Sequence, residues 1–433
     1  MLLTAIALFS VFSIFLRGFL SSGNLVTLVR GVSTLGILGV GMAIVVIGRG
    51  IDLTIVTIYA MSAAWTLHLA NLGVSIPVAM LLGFLLALSI GLINGVLIAY
   101  VEIPALFATL GMASLVYGFV RYALVPLYVL TMAAHREGVP LSWWQHLHLT
   151  AIGPTALPDE TALYATVGGQ KLYADIYLPD RQLHPSPWPT VFMMHGGGFV
   201  RGSRSDGRNW DRWFAQRGYA VFDVDYRLAP PVAWNRAAPD VACAMAWANS
   251  QAERLHINPN RSLIVGQSAG ASLALQVAYG LGDGTFTSSC GGSVHPPDAV
   301  FALYPAEDFG LLWSDERRVG PLDTRDVDIT YIGGPPAQFP DRYKAVSPLA
   351  HVRAGLPPTF IAYGEQDHLI PTSGHRPMAA KLTEVGVPNV LLVVPYSDHG
   401  YDAFWGSIGG QITRHVLDGF LNQHFPAQPG GDH

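Results

Sequence analysis

The 433-residue sequence predicts an α/β fold, a mainly parallel sheet with helices on both faces, preceded by an all-α transmembrane segment. Three observations lead there. Charge almost disappears from the N-terminal third. Beyond it, short apolar runs alternate with helical patterns. Two of those runs end in glycine-rich turns.

Between Met1 and Leu130 the only charged residues are Arg17, Arg30, Arg49, Asp52, Glu102 and Arg121, and the first lysine is Lys171. Long apolar runs cover Leu3–Leu20, Leu25–Ile47, Ile55–Leu72, Ile76–Val101 and Ile103–Leu130. A membrane helix needs roughly 20 such residues, so a multi-pass segment of four or five spans is expected, with the lipid bilayer as its partner. A signal peptide fits Met1–Ser22 poorly, because Arg17 sits away from the charged start such a peptide has. Charge is costly in hydrocarbon, so Arg49-Gly50-Ile51-Asp52 predicts a break or a re-entrant turn. Residues 1–134 form this segment, 135–160 a linker and 161–433 a globular domain. The linker holds Trp143-Trp144, suited to a membrane interface. Its His146 and His148 lack the carboxylate or third ligand that a metal site requires.

Composition excludes several classes. Lysine and arginine total 25 against 30 aspartates and glutamates, for a net charge of −5. No basic run occurs, which argues against nucleic-acid binding. Cys243 and Cys290 are too few for a disulfide framework or a thiolate metal site, and Cys243 reads as small buried filler in a helix. CxxC, HExxH and P-loop patterns are missing, so no metal or cofactor is expected. Oligomeric state does not follow from the sequence.

In the globular part, strands are expected at Leu172–Tyr177, Thr190–Met194, Ala220–Val224, Ser262–Gly266, Ala299–Tyr304, Thr359–Gly364 and Val390–Val394. Helices are expected at Trp210–Arg217, Ala237–Arg254, Ala269–Tyr279, Ser373–Val385 and Gln411–Phe425. Buried strands alternating with helices imply a parallel sheet covered on both faces. Sites in such sheets lie beyond the carboxyl ends of the strands.

The chemistry concentrates there. Gly266-Gln267-Ser268-Ala269-Gly270 follows an apolar strand and opens a helix, the context of a nucleophile elbow. His195-Gly196-Gly197-Gly198-Phe199 follows the strand Thr190–Met194. The amides of Gly197 and Gly198, with that of Ala269, suit an oxyanion hole. His195 itself reads as structural. A serine needs a base, and a histidine belongs after the last strand, where His399 stands. The acid belongs after the preceding strand, where Asp367 stands. Ser268, Asp367 and His399 are therefore the expected catalytic residues. Asp398, Glu365, Glu307 and Asp308 are weaker rivals for the acid, and Asp402 receives no firm role. Phe199, Trp210, Trp213 and Trp234 fit either an apolar acyl pocket or core packing.

The residues from Leu163 to Phe425, including Asp225-Tyr226-Arg227-Leu228-Ala229-Pro230 with Asp240 and Trp247, resemble the hormone-sensitive-lipase-like esterases and the bacterial feruloyl-esterase-like branch. The resemblance implies an α/β-hydrolase fold and hydrolysis of small-molecule carboxylic esters. It also implies that Asp240 and Trp247 serve packing and loop support. Pro231 stands where many lipase-like members have Glu, Gln267 where an acidic residue is commoner, and Ala271 where a third glycine often occurs. The membrane segment occupies the place of that family's N-terminal helical cap.

The first 125 residues or so resemble the ribose/xylose-type ABC sugar permeases. The resemblance rests on Gly41 to Ile47, Gly50-Ile51-Asp52-Leu53-Thr54, Asn94-Gly95, Ile103-Pro104 and Thr109-Leu110-Gly111-Met112. It implies a bacterial inner membrane and stops before the remaining spans of such a permease. The expected function is a membrane-anchored serine carboxylesterase, the hydrolase domain favouring the cytoplasmic side. Alternatives are an ABC-type sugar transporter component with an auxiliary hydrolase domain, and an amidase or peptidase on the same fold.

Overall fold

The computed structural model describes residues 2–15, 19–21, 23–28, 39–40, 42–43, 45, 52–71, 74–147, 157–281, 284–315 and 323–427. Most of the span expected over Leu25–Ile47, the turn at Arg49-Gly50-Ile51, and His148 lie outside the described residues. The chain divides into two units, Met1–Tyr128 and Val129–His433.

The first unit is helical. Ile76–Ala99 runs for 24 residues, and at 1.5 Å per residue its length of about 36 Å exceeds the roughly 30 Å of hydrocarbon in a bilayer. Ile76–Ala99 and Ala105–Arg136 are both long and apolar enough to cross a membrane, and Ile55–Ala70 is a shorter apolar helix. Leu81, Leu88 and Leu92 stand exposed on the first of these, as a lipid-facing surface requires. Three polar residues meet inside the unit. The Thr54 amide and hydroxyl donate to the Asp52 carboxylate, and the Asn94 side-chain amide donates to the Thr54 hydroxyl. The carboxylate is thereby satisfied locally.

The second unit is built on one eight-stranded sheet. Its strands are β1 (Glu160–Val167), β2 (Gln170–Tyr177), β3 (Trp188–Met194), β4 (Ala220–Val224), β5 (Ile257–Gln267), β6 (Ala299–Leu303), β7 (Thr359–Gly364) and β8 (Asn389–Val394). They lie in the order β1-β2-β4-β3-β5-β6-β7-β8. The β1–β2 and β2–β4 pairs are antiparallel, and every pair from β4 to β8 is parallel. Every residue of β3, β4, β6 and β7 is buried. A parallel strand covered by helices on both faces reads as a continuous apolar run for this reason. Phe192 and Phe222 stack across β3 and β4 at 5.2 Å. Truncating such a core ring to alanine costs roughly 3–5 kcal/mol.

Several details depart from expectation. Strand β1 was not foreseen, and neither were the helices Phe309–Ser314, Thr324–Ile332 and Pro340–Val346. The expected helix Ala237–Arg254 divides into Ala237–Ser250 and Ala252–Leu255. Within the expected linker, Ser142 is held: its amide donates to Gln411 at 2.7 Å and its carbonyl accepts from Gln411 at 3.2 Å. Cys243 is not simple filler, because it is bonded to Cys290, with 5.4 Å between their Cα atoms. The bond ties the helix Ala237–Ser250 to the loop preceding β6.

Candidate active site

Strand β5 ends at Gln267, and the helix Ala269–Gly280 begins at once. Ser268 sits between them with φ 53° and ψ −120°, a left-handed conformation costly for a residue with a side chain. The turn exists because its neighbours are glycines. A Cβ on Gly266 would lie 2.1 Å from the Gly270 oxygen, and one on Gly270 would lie 2.2 Å from the Met194 oxygen. The Ser268 amide donates to the Leu303 carbonyl at 2.9 Å, which fixes the turn to β6.

His399 lies in the loop after β8. Its Nε2 is 2.9 Å from Ser268 Oγ, and its Nδ1 is 2.8 Å from Asp367 Oδ2. Asp367 is buried and follows β7. Its other oxygen accepts the amides of Leu369 and Ile370 at 2.9 and 2.8 Å. A carboxylate only accepts, so Nδ1 carries the proton, and Nε2 is left to accept the serine hydroxyl.

The loop after β3 brings Gly196, Gly197 and Gly198 beside Ser268 and Ala269 in the wall of a cavity of about 480 Å³. Gly197 and Gly198 have φ 111° and 63°, which glycine adopts without penalty. Among the described residues, none of the Gly197, Gly198 and Ala269 amides has a hydrogen-bond partner. Three unpaired donors next to a serine hydroxyl can hold a negative oxygen. The remaining wall is mainly apolar, with Phe199, Ala306, Phe309, Leu312, Val327 and Ile370. Asp328 also borders it; burial first, then the charge of Asp323, pushes this carboxyl well above the usual range and favours its neutral form.

The other candidates are placed elsewhere. His195 Nδ1 bonds the Gly196 carbonyl at 2.7 Å and the ring stacks on Tyr226, a structural position. Burial lowers its pKa. Asp398 binds His368 Nδ1 at 3.0 Å. Glu307 pairs with buried His375 at 2.6 Å. Asp308 accepts the amides of Gly310 and Leu311 as a helix cap. Glu365 accepts the Tyr396 amide at 3.4 Å. Of the four aromatic candidates only Phe199 lines the cavity. Trp210 and Trp213 are core residues, and Trp234 borders a separate cavity of about 80 Å³. Arg227 grips Asp240 at 2.7 and 2.8 Å, bracing the loop after β4.

Sequence reasoning missed the role of Asp402. Its buried carboxylate accepts the Trp210 indole N–H at 2.7 Å, the Gln267 amide at 2.7 Å and the Tyr304 hydroxyl at 2.6 Å. The Tyr304 ring meets the His399 imidazole edge-on at 4.6 Å. Burial, then Asp402, raises the Tyr304 phenol well above its usual value, so it remains a donor.

Comparison with known proteins agrees with this architecture. Residues 174–382 match the BD-FAE family model, and residues 24–152 match the permease component of branched-chain amino acid transport systems. Esterase LipC of Mycobacterium tuberculosis is 29% identical over 56% of this chain and 60% of its own length. The probable carboxylic ester hydrolase LipM of the same organism is 26% identical over 60% of this chain and 62% of its own length. The 5-methylorsellinic acid synthase of Aspergillus terreus is 33% identical over 62% of this chain but only 13% of its own length. The chain thus spans less than two thirds of these relatives. A thermophilic esterase from Thermogutta terrifontis, solved with butyrate bound, superposes with a TM-score of 0.50 at 24% identity. That superposition covers 63% of this chain and 96% of the esterase, and at this identity it speaks to the fold alone. The C-terminal part of the chain has the α/β-hydrolase fold and is similar to the BD-FAE family over residues 174–382, and the N-terminal part is similar to the permease family over residues 24–152.

Proposed function

We propose that this protein is a serine carboxylic ester hydrolase, anchored in a membrane by a multi-pass N-terminal segment. The observation that carries the reading is the line Asp367–His399–Ser268, with bonds of 2.8 and 2.9 Å, beside three unpaired amides. Ser268 Oγ attacks the ester carbonyl carbon while His399 Nε2 takes its proton. The carbonyl oxygen becomes an oxyanion between the amides of Gly197, Gly198 and Ala269. Asp367 holds the imidazole in the required tautomer and balances its charge. The tetrahedral species collapses, His399 returns the proton to the departing alcohol, and an acyl-serine remains. Water, deprotonated by His399, releases the acid and restores the hydroxyl. The names of LipC and LipM favour esters over amides, and the mainly apolar cavity suits an uncharged acyl or alcohol group. The test is covalent labelling: a fluorophosphonate probe should modify Ser268 and no other serine, as read by peptide mass spectrometry. Failure to label, or labelling undiminished in His399→Ala, contradicts the reading.

The Cys243–Cys290 bond favours a second statement, about orientation. Disulfides persist in oxidising compartments and are rare in a reducing cytosol. We infer that the hydrolase domain faces the non-cytoplasmic side of the membrane, in place of the cytoplasmic side favoured by sequence alone. A membrane-impermeant fluorophosphonate should label Ser268 on intact cells. Labelling only after lysis contradicts this orientation.

A further inference from the structure

A cavity of about 350 Å³ in the same unit shares no wall residue with the cavity at Ser268. Arg414, on the helix Ile408–His424, lines it and is only 8% exposed. Its guanidinium lies over the Trp405 ring at 4.0 Å. Among the described residues it donates no hydrogen bond, and its Nη1 is buried without a partner.

That situation is costly. A guanidinium has five N–H donors and no alternative neutral form near physiological pH. A buried charge normally has a counter-ion or acceptors. The two carboxylates whose charges most favour the Arg414 cation are both engaged elsewhere. Asp402 accepts from Trp210, Gln267 and Tyr304. Asp418 forms a two-point pair with Arg217 at 2.7 and 3.0 Å. Burial lowers the Arg414 pKa to about 10, as expected of a desolvated cation short of partners. Arg414 lines the cavity together with His415 and Gln145.

A planar fork with unmet donors matches an oxyanion, which it can bind through two parallel bonds. Asp418 also borders the cavity, but its charge is balanced by Arg217. We propose that this cavity is a second binding site, for a small oxyanion such as a carboxylate or phosphate group, anchored by Arg414. The site stands independently of whether Ser268 is a nucleophile. Such a group could arrive free in solution or on a lipid headgroup.

The test uses the full-length protein in neutral detergent micelles. Tryptophan emission, with Trp213 and Trp405 in the cavity wall, is followed against sodium phosphate or sodium acetate, with sodium chloride at equal ionic strength as control. One of the oxyanions should give a saturable change with half-saturation below about 10 mM. The Arg414→Met variant, which keeps an apolar stem on Trp405, should weaken it by about tenfold or more. The same oxyanion should raise the Tm of the wild-type protein beyond the chloride control, a measurement that stands even if the variant misfolds. Micelles doped with short-chain phosphatidic acid separate the sources: a response at lower phosphate concentration than with inorganic phosphate assigns the lipid, and an equal one assigns the free anion. No response beyond chloride in either emission or Tm means that the cavity holds water only, and overturns the proposal. So does an undiminished response in a folded Arg414→Met protein.

Discussion

The Gln267 side chain, immediately before Ser268, donates to Asp402 at 2.7 Å across 135 residues of sequence. Asp402 stands three positions after His399, so one carboxylate ties the serine turn to the histidine loop. Through Tyr304 it also braces the imidazole edge. Asp402 touches neither Ser268 nor the imidazole, and is a positioning residue.

The Asp402→Asn variant tests that role. An asparagine keeps the shape but turns one acceptor into a donor, so one of the three converging donors meets another donor. Such a mismatch costs about 1–3 kcal/mol, and a misplaced imidazole lowers kcat roughly 10- to 100-fold. KM should change less. Adding Gln267→Glu restores an acceptor opposite the new amide and should recover most of kcat. A single variant with wild-type kcat contradicts the role.

Asp367→Asn should be more severe. An amide facing Nδ1 can donate to it and so select the tautomer with Nε2 protonated. That tautomer cannot accept the Ser268 proton. The expected loss in kcat is on the order of 10⁴, by the general logic of such triads. A loss below about tenfold would indicate that another carboxylate supports His399.

Stability should depend on a buried acid pair. Asp211 and Asp223 are fully buried, and no other residue among those described donates to their oxygens. Burial raises both, Asp211 to about 7 and Asp223 well above the usual carboxylate range, the second also because of the charge of Asp211. The folded state therefore keeps protons on this pair that the unfolded state releases near pH 3.9. With more protons bound when folded, stability is full below about pH 4 and declines as pH rises toward about 7, by up to about 1.4 kcal/mol per pH unit for each proton retained. Asp211→Asn supplies a permanent donor to the remaining carboxyl and should flatten this decline. Thermal unfolding followed from pH 4 to pH 8 checks the slope. Equal slopes in both proteins contradict proton retention by this pair.

The Cys243–Cys290 bond closes a loop with a sequence separation of 47 residues. Loop-closure entropy for that length is worth about 4 kcal/mol in the chain-entropy picture. Cys290→Ser should lower the Tm of the hydrolase domain and remove its sensitivity to dithiothreitol. An unchanged Tm contradicts a formed bond.

What the sequence disclosed follows from where the information lies. Parallel strands buried on both faces leave continuous apolar runs, so Ala220–Val224 and Thr359–Gly364 were readable to the residue. Ser268, His399 and Asp367, on which the proposed mechanism rests, stand out in the sequence because each follows such a strand. Strand β1 was hidden because an edge strand needs only part of its surface buried, and its residues run from exposed to buried. The helices Phe309–Ser314 and Thr324–Ile332 were hidden because their apolar residues, Phe309, Leu312 and Val327 among them, serve a cavity wall as much as a core. Asp402 and the cysteine pair were hidden for a stronger reason. Their partners are distant in sequence, and nothing local distinguishes a carboxylate that clamps two loops from one in solvent.

The most direct measurement is p-nitrophenyl butyrate hydrolysis by the full-length protein and its Ser268→Ala variant, with folding of both checked by circular dichroism. The wild-type protein should turn over the ester, and the variant should lose at least about 10³-fold in kcat. Equal rates in two folded proteins would show that the Ser268 hydroxyl is not the nucleophile.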